Sequence, residues 1–240
     1  DWVDDEHKKI CYATSFGVDR ILGTFEESVN LKRSLTRFDA VSLRESSGVE
    51  LVKKNFGIHA TRVLDPVFLC KREHYVQLCE GAGDYTNRIF AYMLDPTREK
   101  QEAIQYLEQH FGKNAIIFAD RWMNEAYLAE KWELKCELGK KNEEWLKALM
   151  DSEFVITDSF HGMCMAIIFG KQFVVINNKN RGTARFVSLL ELLGLGDRMI
   201  DEPAAISQAI QKEKIDYTAV YQKLEGEKKN GMDWLKNHLN

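Results

Sequence analysis

Short apolar runs alternate with stretches of helical periodicity along almost the whole 240-residue chain. Compact apolar runs bounded by turn residues predict buried strands. They fall at Lys9–Ala13, Ala40–Leu43, Ala60–Leu64, Arg88–Leu94, Ala115–Ala119, Phe154–Thr157 and Phe173–Ile176. Between them, apolar residues recur on one helical face. Val49, Val52 and Phe56 make one stripe, and Trp145, Leu146, Leu149 and Met150 a second. A third runs through Val187, Leu190 and Leu193 and stops at Gly194. Aromatic and Met residues on such stripes read as core. Strands alternating with helices predict an α/β fold of Rossmann-like, doubly wound parallel sheets, whose ligands sit at the carboxyl ends of strands.

Turn residues divide this pattern. Asp65-Pro66 follows a strand, and Asp95-Pro96 opens a helix with Pro in its first turn. The small, polar stretch Glu80-Gly-Ala-Gly-Asp84 marks a domain boundary. Residues 1–81 then form an α/β domain, 82–215 a Rossmann-like domain, and 216–240 a helical tail. Within the tail, Tyr217, Val220, Tyr221 and Leu224 keep helical spacing, and the charged Glu225–Gly231 stretch reads as a solvated bend or helix break.

Composition narrows the class. Hydrophobic residues are 45% and charged residues 29% of the chain, as in soluble globular proteins, which excludes a disordered tail, a collagen-like repeat or a coiled-coil rod. A net charge of −4 argues against duplex DNA or anionic lipid as partner, while leaving room for local anion pockets. No nucleic acid is expected. The five cysteines, Cys11, Cys70, Cys79, Cys136 and Cys164, form no C-x-x-C pair and read as reduced thiols, so neither a disulfide framework nor a metal is expected. The apolar stretch Met163–Phe169 is too short to span a bilayer, and no transmembrane segment is predicted. The acidic run Asp4-Asp5-Glu6 reads as solvated surface.

Candidate chemistry lies at strand ends. Phe154–Thr157 runs into Asp158-Ser159-Phe160-His161-Gly162 and then into an apolar helix. Asp158 or Ser159 is suited to cap that helix, which puts His161 in its first turn, where a phosphate or carboxylate is favoured. Gly162 permits close approach of a ligand or of backbone at some cost in helix propensity. His161 reads either as an acid–base group or as a plain buried or capping histidine. A second strand ends at Arg44-Glu45 before Ser46 and Ser47. Arg44 is suited to fork onto a carboxylate or phosphate, or else to form a surface or inter-domain ion pair. Lys179, Arg181 and Arg185 follow a third strand and read as an anion pocket or a solvated loop. Tyr12–Gly17, with Ser15, is a fourth strand-to-loop turn. The chain contains no G-x-G-x-x-G, no G-x-x-x-x-G-K-[ST] and no G-x-S-x-G. Ser159 and His161 are too close along one helix start to face each other as nucleophile and base.

At Asp158-Ser-Phe-His-Gly162 the chain resembles the polysaccharide pyruvyl transferase family, in the branch with an S-F-H-G signature at a strand end. Lys9-Ile-Cys-Tyr-Ala-Thr-Ser-Phe-Gly17 is similar to that family's YAxSFG segment, and Phe38-Asp-Ala-Val-Ser-Leu-Arg-Glu45 to its FDxxSVRE strand. Val63-Leu-Asp-Pro66 and Leu193-Gly-Leu-Gly-Asp-Arg198 resemble two further blocks. The resemblance implies a fold like the two-domain glycosyltransferase-B type, with a cleft between Rossmann-like halves. Family members usually carry a further N-terminal region, so it also implies an incomplete first domain.

The implied reaction moves a pyruvyl group from phosphoenolpyruvate to two hydroxyls of a saccharide, free or lipid-linked, and leaves a pyruvate ketal. No cofactor or metal is implied beyond the donor substrate. Arg44 and His161 match positions the family uses at the phosphoenolpyruvate site. Other branches carry Arg where Ser159 stands here, so Lys179, Arg181 or Arg185 is expected to supply that cation. The implied location is the cytoplasm, including the inner membrane face. Two alternatives stay open: a glycosyltransferase of the same architecture using a nucleotide-sugar, and a truncated sugar-binding module without activity.

Overall fold

The computed structural model describes residues 3–4, 6–120 and 122–239; Asp1, Trp2, Asp5, Arg121 and Asn240 lie outside them, and with Asp5 the middle of the expected acidic run. In chain order the principal elements are β1 (Ile10–Thr14), α1 (Phe25–Leu35), β2 (Ala40–Leu43), α2 (Ser46–Phe56), β3 (Ala60–Arg62), α3 (Arg72–Leu78) and β4 (Ile89–Met93). Then follow α4 (Arg98–Phe111), β5 (Ala115–Ala119), α5 (Glu125–Lys131), α6 (Asn142–Asp151), β6 (Phe154–Thr157), α7 (Phe160–Ile168) and β7 (Gln172–Ile176). The last are α8 (Ala184–Leu193), β8 (Met199–Ile200), α9 (Ile206–Ala209) and α10 (Tyr217–Leu239). Pro66 opens a single turn, capped by Asp65 Oδ1 on the Val67 N–H at 3.0 Å. Pro96 instead sits outside its helix. Thr97 caps α4 by accepting from the Lys100 N–H, which moves the helix start to Arg98.

Two units emerge, each with its own parallel sheet. Asp1–Leu69, Lys179–Gly194 and Thr218–Asn240 make the first, and Cys70–Asn178 with Leu195–Tyr217 the second. The second unit takes α3 because Tyr75 packs edge-on against Phe169, ring centroids 6.4 Å apart. The first takes α8 because the Ser46 N–H bonds to Ser188 Oγ at 3.1 Å.

The second unit's sheet runs β5-β4-β6-β7-β8, every pairing parallel. Its strands are apolar on both faces because helices cover both, as parallel sheets require. Ile89, Ala91 and Met93 of β4 bury one face with Ile104 and Leu107 of α4. On the other face, Phe90 meets Trp145 of α6 edge-on with centroids 5.5 Å apart. The first unit's sheet has order β1-β2-β3, also parallel.

Helix α10 runs unbroken through Gly226 and Gly231, in place of the expected bend. Gly231 is buried, and a Cβ there would lie 2.7 Å from Tyr12 Oη, so the glycine admits β1 instead of breaking the helix. The Tyr12 hydroxyl is buried without a hydrogen bond, and burial together with the Asp65 carboxylate pushes its pKa above the ordinary phenol value. Gly231→Ala alone should therefore destabilise the protein, while Tyr12→Phe should be nearly neutral. In the double variant the clash is gone, and alanine's helix propensity should return up to about 1 kcal/mol. Urea unfolding of the four proteins checks this; a penalty that persists beside Phe at position 12 would reject the contact.

Candidate functional site

In the second unit the sheet order places β4 beside β6 with the chain leaving them toward opposite edges. The carboxyl ends of these two strands are thus the topological switch point, the crevice where open α/β sheets bind ligands. Asp158 leaves β6 at this point and is buried. Its Oδ1 accepts the Leu94 N–H at 2.6 Å, and its Oδ2 accepts the Asp95 N–H at 3.1 Å, the Lys100 ammonium at 2.6 Å and the Asn178 amide at 3.1 Å. Lys100 also donates to the Asp95 carbonyl at 2.7 Å. Asp158 therefore ties the ends of β4, β6 and β7 together and does not cap α7. Lys100 and Asn178 were not legible as partners. The available signal was a polar residue just past each of three strands: Asp95, Asp158 and Asn178.

Ser159 is the cap of α7, accepting the Gly162 N–H on Oγ at 3.3 Å. Gly162 is needed because a Cβ would stand 2.6 Å from Thr157 Oγ1. That hydroxyl is itself held, donating to the Tyr92 carbonyl at 2.7 Å and accepting the Ser159 N–H at 3.0 Å. The close approach at Gly162 is thus made by the strand end. Eight of the nine residues of α7 are buried; His161 is exposed. The fold presents one imidazole at the positive end of an otherwise buried helix, at the switch point.

In the first unit, the end of β2 shapes the end of β1. Ala13 has φ 51° and is buried, at a break in register between Cys11 and Thr14. Such a conformation needs support from its surroundings. Ser42 Oγ accepts the Ala13 N–H and donates to the Cys11 carbonyl, both at 3.0 Å. Arg44 Nε donates to the Ala13 carbonyl at 2.6 Å, and its Nη1 pairs with Asp65 Oδ2 at 2.6 Å. Glu45 is fully buried, and its Oε1 accepts the Ser15 hydroxyl at 3.1 Å, the Phe16 N–H at 2.6 Å and the Gly17 N–H at 3.2 Å. The Ser42–Glu45 block is therefore the template for the Cys11–Gly17 block. Two of Arg44's nitrogens serve this template, and Nη2 makes no hydrogen bond within the described residues. Arg44→Lys keeps a charge opposite Asp65 but loses the directed Nε donor. It should lower the unfolding free energy by about 1–3 kcal/mol, and unchanged stability would refute the bracing role.

Lys179 and Arg181 are exposed, while Arg185 is half-buried and donates from Nη2 to the Arg181 carbonyl at 3.1 Å. Lys179 lines a cavity of about 390 Å³ with Arg20, Ser46, Ser47, Thr183 and Ser188. The starts of α2 and α8 open onto it, and neither Glu45 nor Thr183 gives its helix a side-chain cap. Asp19 and Glu191 also line it, so its charge is mixed. Arg181 and Arg185 are not part of that lining. Among the described residues no group of three or more His, Cys, Asp or Glu is arranged to hold a metal ion, and no helix is long and apolar enough to cross a membrane.

Comparison with curated proteins gives no match. Among solved structures the chain is similar to the UDP-GlcNAc 2-epimerase from Neisseria meningitidis bound to UDP-GlcNAc, with a TM-score of 0.51 and 11% identity over 89% of this chain and 62% of that one. The wall teichoic acid polymerase TagF aligns with a TM-score of 0.47 and 12% identity over 87% of this chain and 58% of its own. The glycotransferase of kitacinnamycin aligns with a TM-score of 0.46 and 14% identity over 81% and 51%. The chain thus spans less than two thirds of each of these structures, and the epimerase likeness bears on the Rossmann-like fold alone. A sequence profile for polysaccharide pyruvyl transferase matches residues 1–180, a stretch that holds the Lys9–Gly17, Phe38–Glu45, Val63–Pro66 and Asp158–Gly162 blocks. The chain belongs to the polysaccharide pyruvyl transferase family.

Proposed function

We propose that the protein transfers a pyruvyl group from phosphoenolpyruvate to two hydroxyls of a saccharide, free or lipid-linked, with His161 handling the proton. One observation carries this reading: His161 is the exposed residue of an otherwise buried helix at the switch point. A proton delivered to the donor's methylene carbon makes it a methyl group and leaves an oxocarbenium-like centre. One sugar hydroxyl attacks that centre and gives up its proton, phosphate departs, and the neighbouring hydroxyl closes the ketal. Of the two hydroxyl protons, one replaces the proton spent on the methyl group and the other leaves with phosphate. The donor's carboxylate and phosphate favour cations and helix starts. In the first unit Arg44 through Nη2, Lys179, Arg181 and Arg185 are the cations proposed to bind anionic substrate, with the Ser15 hydroxyl; in the second unit the Ser159 hydroxyl is the proposed substrate contact. No metal or further cofactor enters this scheme. Phosphoenolpyruvate is a cytoplasmic metabolite, which puts the proposed reaction in the cytoplasm or at the inner membrane face.

A nucleotide-sugar glycosyltransferase is the second reading, because a diphosphate suits the start of α7 equally well. Calorimetric titration separates the two. Phosphoenolpyruvate should bind and be displaced by excess inorganic phosphate, and a UDP-sugar should not compete as a donor. Binding of the UDP-sugar with no response to phosphoenolpyruvate would replace the first reading by the second.

A further inference from the structure

The buried carboxylate beside Arg44 reaches further than its own turn. Glu45 Oε1 gathers the Ser15 hydroxyl and the N–H groups of Phe16 and Gly17, while its Oε2 is buried and makes no hydrogen bond. Gly17, with φ 72°, is pressed against the basic loop. A Cβ on Gly17 would lie 3.7 Å from the Arg181 carbonyl oxygen and 3.8 Å from Arg185 Nη2. The opposing residue is Gly182, with φ 89°, where a Cβ would lie 2.6 Å from the Gly17 carbonyl carbon and closer still to its oxygen. Two glycines in the left-handed region thus meet backbone to backbone: a Cβ on Gly182 would collide with Gly17, whereas one on Gly17 would meet ordinary contacts and cost backbone strain alone. The chain of contact runs from Glu45 to Gly17, from Gly17 to Gly182, and so to Arg181 and Arg185.

We propose that Glu45 is a positioning residue for anion binding: its carboxylate sets the Ser15–Gly17 turn, and that turn sets the Lys179–Arg185 loop. The inference rests on the proposed function in one respect, that the loop's ligand is the anionic donor. Its sign distinguishes it from simple electrostatics. Removing a buried negative charge from a unit that binds anions should tighten that binding by Coulomb's law. Loss of positioning should weaken it.

The test compares Glu45→Ala, Glu45→Gln and Gly182→Ala with the unaltered full chain. Calorimetry with phosphoenolpyruvate, and with inorganic phosphate as a second anion, should show Glu45→Ala and Gly182→Ala about tenfold weaker or worse, within the range a small displacement produces. Glu45→Gln keeps an acceptor oxygen for the turn and should recover part of the loss. A pure charge effect would make Gln and Ala equal. Binding as tight as in the unaltered chain, or tighter, in the Glu45 variants overturns the proposal. Amide hydrogen exchange gives a readout that needs no ligand. Phe16, Gly17 and residues 181–185 should exchange faster in Glu45→Ala, with β4 and β6 unchanged. Unchanged exchange at 181–185 overturns the proposal. If the unaltered chain binds no phosphoenolpyruvate, the functional reading falls, and exchange alone decides the positioning role. If Glu45→Ala does not fold, Glu45→Gln carries the test of Glu45 by the same two readouts, and Gly182→Ala tests the contact from turn to loop.

Discussion

Asp158→Ala should lower the unfolding free energy by about 3–5 kcal/mol, the cost of leaving one buried charge without its partner. The stranded group is the Lys100 ammonium, whose side chain is 8% exposed and which, among the described residues, would keep the Asp95 carbonyl alone. The reciprocal change is milder. In Lys100→Met the Asp158 carboxylate still accepts the Leu94 and Asp95 N–H groups and the Asn178 amide. Hydrogen bonds to a charged group are each worth about 1.5–3 kcal/mol, so three surviving donors offset much of the lost ion pair. Urea unfolding should therefore rank Asp158→Ala clearly below Lys100→Met. Equal losses, or the reverse order, would mean that the knot at the ends of β4, β6 and β7 is not what holds this end of the sheet.

The second large effect is on turnover. His161→Asn keeps a polar side chain of similar size but cannot exchange a proton near neutral pH. It should leave stability nearly unchanged, because the side chain is exposed, and leave phosphoenolpyruvate binding largely intact. Turnover should fall by about 10²-fold or more, and one limb of the pH–rate profile should flatten. Collapse of donor binding with an unchanged pH profile would make His161 a ligand-holding residue and remove the acid–base assignment.

What was legible in the chain follows from how far its physics is local. Strands β2, β5 and β6 match the runs predicted for them, because buried strands read as mainly apolar runs, interrupted here by Ser42 and Thr157. Helix α8 stops at Gly194 as its stripe does. Strand β8 has two residues, too few to make a pattern, and α1 buries none of its residues, so no stripe marks it. The expected break near Gly231 failed for a non-local reason: the glycine answers Tyr12, far away in sequence. The candidate site divides the same way. His161 and its Ser159 cap were visible because strand end, cap and helix start are consecutive. Arg44 stood out as a cation at a strand end, but its engagement with Ala13 and Asp65 depends on which strands pair. Glu45 carried no role in the sequence beyond following Arg44, because it is fully buried under a turn it reaches only through the β1–β2 pairing. The knot of Asp158, Lys100 and Asn178 joins three strand ends, so sheet order had to be known before its members could be grouped.

The proposed function makes the transferred group a pyruvyl unit and not a glycosyl unit. The direct measurement is carbon NMR of the full chain incubated with phosphoenolpyruvate labelled with carbon-13 at its second carbon, together with a panel of free, nucleotide-linked and lipid-linked saccharides. The proposed function predicts that the label appears in a ketal carbon bonded to the saccharide, with inorganic phosphate released in equal amount, and that both signals build up about 10²-fold more slowly or worse in His161→Asn. Glycosyl transfer from a nucleotide-sugar in the same mixture, with the labelled phosphoenolpyruvate left intact, would contradict it.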